Sequence, residues 1–198
     1  MPLTDEQRVA VAELRAHLTS SSFAFGTAES VEQRARRPDS AHVPTDVTVR
    51  VEIAPPSPQT HPLLESYPFR TPERVPIYFY TLGNDHAKSE PDADLADTRV
   101  IFFIHGGGNV VGHPTHPPFI QLYTQLLRAT KCVVIAPSYR LATVPENTFP
   151  AALHDLVAAY DYVLGKGYSA SNVVIAGDSA GGNHGQLRSC PLSIVTWN

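Results

Sequence analysis

Two cysteines are all that the chain has, Cys132 inside an apolar run and Cys190 near the end, and settings so unlike give no sign of a disulfide framework or a metal site. A reducing compartment is the expectation. No stretch reaches the roughly 18 apolar residues of a membrane-spanning helix, and the opening MPLTDEQRVAVAELRAHL turns acidic too early for a signal peptide. We expect a soluble, cytoplasmic protein without a membrane partner. Basic residues are few and scattered: 15 Lys and Arg stand against 19 Asp and Glu, the net charge is -4, and nucleic acid is not an expected partner. Internal repeats are missing as well. What is present is 198 residues with 42% hydrophobic content, enough for an ordinary globular core.

Thr4 and Gln7 have capping-box spacing, and Val11, Leu14 and Leu18 recur at helical spacing, which predicts an amphipathic helix over residues 4 to 18. The stretch from there to about residue 44 is polar and without a clear period. Val47, Val49, Val51 and Ile53 then alternate with polar residues, as in a half-exposed strand, and IYFYTL reads as a second one. The proline-rich APPSPQTHPLLESYPFRTPERVP and the acidic GNDHAKSEPDADLADT read as loops. RVIFFI, CVVIA and NVVIAG differ in kind: they are continuously apolar and β-branched, like parallel strands covered on both faces. Between them lie the helical segments FIQLYTQLLRA and TFPAALHDLVAAYDYVLGKG, the second with Leu153, Leu156, Val157, Tyr160 and Leu164 on one face. Thr148 is its expected cap, Pro150 fits its first turn, and Gly165 or Gly167 ends it. The order is that of an α/β fold.

Two glycine motifs follow directly on buried strands. In GDSAGG, Gly177, Ser179 and Gly181 satisfy G-x-S-x-G, a strand-to-helix turn so sharp that small residues must flank the serine. Its hydroxyl is thrust out at the carboxyl end of the sheet, before a helix N-terminus that favours negative charge. The N–H of Ala180 then points at the oxygen that becomes an anion when a serine attacks a carbonyl. In HGGG, His105, Gly106, Gly107 and Gly108 allow a second loop to bring N–H groups to that same oxygen.

FFIHGGG, APSYRLATVPENTFPAALHD and VVIAGDSAGGN together resemble the hormone-sensitive-lipase-like branch of the α/β-hydrolases, with spacing like that of fungal members. The resemblance runs over residues 46 to 183. It implies a serine carboxylesterase or lipase-like enzyme acting on a small-molecule ester without a cofactor. Ser179 would be the nucleophile, and Gly107, Gly108 and Ala180 the oxyanion hole. His105, Gly106, Gly177, Asp178 and Gly181 would support them. Residues 1–45 would form a helical cap-like segment, and residues 46–183 the N-terminal part of the hydrolase sheet, strands 1 to 5 with flanking helices. Residues 184–198 depart from the pattern. Where the family has a long helix, more strands, an Asp and a His, HGQLRSCPLSIVTWN carries a glycine, a proline, one histidine and no acid.

From that departure we expect a truncated form, with the remaining strands and the triad Asp and His absent, that is inactive by itself. The alternative is a non-catalytic small-ligand-binding protein, since the family includes plant hormone receptors that have lost the catalytic histidine. Truncation also predicts that NVVIAG keeps one open edge, a route to self-association unless LSIVTW folds back over it.

Other candidates read as structural. His184, five residues along the emerging helix, should point away from Ser179 as an exposed polar residue. Pro114, Pro117 and Pro118 argue against a dinucleotide turn at Gly106, Gly108 and Gly112. His113 and His116 read as a polar loop at the pocket mouth, and His105 as a ring that holds the oxyanion loop. Asp178 is expected to pair with Arg140, while His154 and Asp155 fall on the solvated or loop-facing side of a helix.

Overall fold

The computed structural model describes residues 28–56, 71–83 and 95–185 and the backbone strand 194–197. The expected helix over residues 4 to 18 lies outside these, as do the middles of the proline-rich and acidic loops. Six strands form one mixed sheet: β1 (Val47–Ala54), β2 (Val75–Leu82), β3 (Val100–Ile104), β4 (Val133–Pro137), β5 (Val173–Asp178) and β6 (Ile194–Trp197), in the order β1-β2-β4-β3-β5-β6. β1 and β2 run antiparallel to their neighbours, whereas β3, β4, β5 and β6 are mutually parallel. Among the described residues the α-helices are α1 (Val31–Arg34), α2 (Pro117–Thr130), α3 (Ala151–Gly165) and α4 (Ala180–Gly185).

The sixth strand corrects an expectation. Ile194 to Trp197 pair in parallel with Ile175 to Asp178, so the tail covers the β5 edge that was expected to stay open. A four-residue strand suffices because β5 is itself only six residues long. β2 is expected to be one of two alternating strands, yet Val75 to Tyr80 are all buried. The sheet is covered on both faces at this strand too. Ile77 and Phe79 join Phe102, Ile135, Leu156 and Val163 in one cluster, which packs under α3. Tyr78 and Tyr80 join Phe103, Ile120, Tyr123 and Leu127 in the other, under α2. Even the polar side of β1 is engaged, with Arg50 over the Phe79 ring at 4.6 Å and Glu52 accepting from the Tyr162 hydroxyl at 2.7 Å.

The helix ends differ in detail from the expected ones. The polar stretch before residue 44 holds α1, which opens on a capping box: Gln33 N–H donates to Ser30 Oγ, and Ser30 N–H donates to Gln33 Oε1. Thr148 does not cap α3, because its hydroxyl turns back to donate to Pro145 O. Pro150 occupies the cap position instead, and the helix ends at Gly165.

α1 is short but firmly tied. Arg34, at its end, is buried and reaches Asp155 Oδ2 at 3.4 Å, Glu73 at 3.2 Å and Ser138 O at 2.8 Å. Asp155 is therefore not on a solvated side of α3. It lies fully buried between Arg34 and Arg140, accepting from the Arg140 backbone N–H at 2.7 Å and from its guanidinium at 2.8 Å. His154 is buried beside it. This arrangement joins the N-terminal segment, the end of β4 and α3 around one carboxylate.

Removing that carboxylate leaves two buried guanidinium groups without their central partner, and breaking a buried pair in this way costs on the order of 3–5 kcal/mol. Asp155→Ala is expected to lower stability by about that amount in urea unfolding. Glu73, whose side chain is 38% exposed, is the control. Its alanine variant is expected to cost less than about 1 kcal/mol, and equal losses in the two variants would refute the assignment.

Candidate active site

β5 ends at Asp178, α4 begins at Ala180, and Ser179 alone makes the reversal. Its φ is 48°, a left-handed conformation that an L-residue with a side chain adopts at a cost of about 1–2 kcal/mol. The side chain is exposed, and among the described residues none is hydrogen-bonded to its hydroxyl. The flanking glycines have a steric reason. A Cβ on Gly181 would lie 2.1 Å from Ile104 O, and one on Gly177 would lie 2.6 Å from the carbonyl carbon of Gly181. Helix α4 thus rests directly on the ends of β3 and β5, which is possible only without side chains at these two positions.

Because β3 and β5 are adjacent and parallel, the loop after β3 emerges beside the serine. The first tie between them is Gly106 N–H donating to Asp178 Oδ1 at 2.6 Å. Asp178 therefore links the two glycine motifs, and the pairing expected with Arg140 is not formed. The loop then turns through Gly107, Gly108 and Asn109 at φ values of 118°, 60° and 65°. Val110 and Val111 N–H groups both donate back to Gly107 O at 3.0 Å, closing a tight turn. Among the described residues, no acceptor takes the N–H of Gly107 or of Gly108.

Aromatic rings support this loop from below. His105 stacks on Tyr139 with centroids 4.3 Å apart, and its Nδ1–H donates to Gly106 O at 2.8 Å. The Tyr139 hydroxyl donates to His105 O at 2.7 Å. His113 is buried rather than at a pocket mouth, and both of its ring nitrogens are engaged. Thr115 N–H donates to Nδ1 at 3.2 Å, so the proton is on Nε2, which donates to Arg34 O at 2.9 Å. Its ring centroid is 6.1 Å from that of His116, yet with both nitrogens occupied it is not available to a metal.

His184 is the last correction. It is half-buried, with Nε2 2.6 Å from Asn109 Oδ1 and its ring edge-on to Tyr139 at 5.8 Å. A helix of only six residues held against β3 brings position 184 back under the loop, which spacing along an ideal helix did not reveal. Asn109 and Tyr139 were likewise missed. An asparagine directly after a glycine run is a signal for a left-handed residue, since asparagine tolerates that conformation better than most.

Residues 101–185 match a protein-family model described as alpha/beta hydrolase fold. The chain is 40% identical over 85 residues to an acetyl-hydrolase of Streptomyces hygroscopicus, covering 43% of this chain and 27% of that protein. To the probable carboxylesterase 6 of Arabidopsis thaliana it is 36% identical over 102 residues, 48% of this chain and 30% of the relative. The chain thus spans about a third or less of the length of these curated relatives. The crystal structure of carboxyl esterase 2 from the mycorrhizal fungus Tuber melanosporum superposes with a TM-score of 0.57 at 22% identity, covering 93% of this chain and 55% of that one. The chain has the α/β-hydrolase fold. No helix among the described residues is long and apolar enough to cross a membrane.

Burial lowers the pKa of His113 to about 3 and that of His105 to about 4, so both are neutral in the folded protein. Unfolded, each takes up a proton near pH 6.5. Below that pH the unfolded chain binds more protons than the folded one, and stability falls by up to about 1.4 kcal/mol per pH unit for each histidine until the folded pKa is reached. Urea midpoints measured from pH 7 to 5 should therefore decline. His113→Gln, which keeps an N–H donor for Arg34 O but cannot titrate, should decline less steeply, and an unchanged slope would count against this account.

Proposed function

We propose that Ser179 is the nucleophile of a carboxylic-ester hydrolase of the hormone-sensitive-lipase-like branch, and that Gly107, Gly108 and Ala180 form its oxyanion hole. The observation that carries this reading is the serine held in a left-handed elbow and tied through Asp178 to a glycine loop whose amide groups are unclaimed among the described residues. Two of the relatives carry the printed names acetyl-hydrolase and carboxylesterase, which supports an ester as the substrate class. Ser179 Oγ would attack the ester carbonyl carbon and lose its proton to a base. The carbonyl oxygen becomes an anion, stabilised by N–H groups already in place. Collapse of the intermediate expels the alcohol, and water then releases the acid from the acyl-enzyme.

Among the described residues no side chain is hydrogen-bonded to the Ser179 hydroxyl, so none is in place as its base. Among the described residues His105 is buried beneath the loop, and His184 spends Nε2 on Asn109. In the resembled order of Ser, Asp, His, the other two members follow the serine, and after Ser179 this chain holds one histidine and no acid. We infer that the 198-residue chain supplies the nucleophile and the oxyanion hole without the base. A triad member lost in this way typically removes several orders of magnitude of rate.

Two measurements test the reading. On a chromogenic acetate or butyrate ester, the 198-residue chain is expected to match its own Ser179→Ala variant. Turnover that disappears in that variant would show that a base is present after all. A folded chimera in which residues 1–185 are joined to the C-terminal part of the Tuber carboxyl esterase is expected to hydrolyse the ester through Ser179. A folded but inactive chimera would overturn the proposed nucleophile and favour ligand binding without turnover.

A further inference from the structure

The glycine loop must hold its N–H groups still to stabilise an anion, yet three consecutive glycines are the least self-ordering segment a chain can have. Something outside the loop has to fix it. Its start is fixed by the Gly106 to Asp178 bond and by the His105 ring on Tyr139. Its other end is Asn109, where φ is 65°. Two contacts hold that residue. Ala142 N–H donates to Asn109 O at 2.7 Å, and His184 Nε2 lies 2.6 Å from Asn109 Oδ1. The second contact is the one that reaches the nucleophile helix, since His184 is in α4.

We propose that His184 is a positioning residue, a latch whose Nε2–H holds the Asn109 side chain and thereby fixes the end of the Gly107–Gly108 turn relative to Ser179. The functional meaning rests on the oxyanion reading above, but the latch itself is a structural claim that can be measured separately. If Oδ1 is the acceptor, the proton must be on Nε2. That proton is present in the neutral Nε2 tautomer and in the imidazolium alike. The Tyr139 ring edge-on to His184 leaves the imidazole little freedom to turn away. The histidine is thus held by one aromatic contact and holds the loop by one hydrogen bond. Together with the Asp178 tie, it makes the β5–α4 turn around Ser179 the common support of both ends of the glycine run.

The test is hydrogen exchange on the full chain, read at the Val110 and Val111 amides, which donate to Gly107 O, against those of β3. Breaking a single hydrogen bond of this kind should raise exchange in the loop about tenfold, with β3 unchanged. His184→Leu, similar in bulk but without a donor, should show that rise, and His184→Gln, which presents an N–H again, should restore protection. Asn109→Ala breaks the latch from the other side and, because alanine is also strained at φ 65°, should expose the loop at least as much as His184→Leu. Adding His184→Leu to Asn109→Ala should raise exchange no further, since both remove the same bond. Unchanged exchange in His184→Leu would overturn the proposal, as would equal exchange in His184→Leu and His184→Gln, since packing alone would then account for the residue. None of these readouts needs ester turnover. An inactive chimera with a protected, latch-dependent loop would sink the hydrolase reading alone, whereas an active chimera with a latch-independent loop would sink the latch alone.

Discussion

The contact on which the site depends is that of α4 against the carboxyl ends of β3 and β5. Gly181 sits so close to Ile104 O that no Cβ fits between them, and Gly177 faces the Gly181 backbone in the same way. This proximity forces the chain to reverse within one residue, and that residue, Ser179, takes the left-handed conformation that the reversal demands. Strain at Ser179 is thus a consequence of packing two backbones together. It is sustained because the buried strands β3 and β5 on one side of the turn leave it no alternative. A serine so placed presents its hydroxyl to solvent with a helix N-terminus behind it.

A second constraint operates just past the carboxyl end of β4. Asp155, Arg140 and Arg34 bring three distant segments together around a buried carboxylate, and the same Arg34 offers its carbonyl oxygen to His113 and to Tyr78 at 2.9 and 2.8 Å. His113 belongs to the loop that begins at the glycine motif. The N-terminal segment is therefore connected to the candidate site by a short path: guanidinium to Asp155 on one side, carbonyl to His113 on the other. A buried ion pair of this sort adds little net stability relative to an apolar equivalent. What it contributes here is orientation, since its hydrogen bonds are directional and together join three segments.

The sheet was legible from the sequence where the pattern is local. Continuous apolar runs marked β3, β4 and β5, and glycine spacing marked the serine turn, because both are decided by backbone sterics and burial within a few residues. The parts that were misread depend on distant partners. Asp155 reads as solvated or loop-facing by helical spacing, and only the arrival of Arg34 from 121 residues away makes it central. His113 reads as polar surface until the Arg34 carbonyl covers it. The pairing of β6 depends on an edge that no local period describes, and the polar residues of β1 looked solvent-facing because Tyr162 and Lys166 approach them from the far end of α3.

His105 and His184 both pack on Tyr139 and hydrogen-bond the glycine loop. His105 is covered on both faces, by Tyr139 and by Phe119, and its Nδ1–H is committed to the adjacent Gly106 carbonyl. Burial lowers its pKa to about 4, so near neutral pH it stays uncharged and adds no cationic field beside a developing anion. His184 is shifted in the same direction by the same cause, though it is less deeply covered. Both rings thus serve as neutral supports, and on the proposed reading the groups that meet a negative oxygen are backbone N–H dipoles. Those dipoles are fixed by the loop geometry and do not vary with protonation, which suits a task in which the charge to be stabilised appears only briefly.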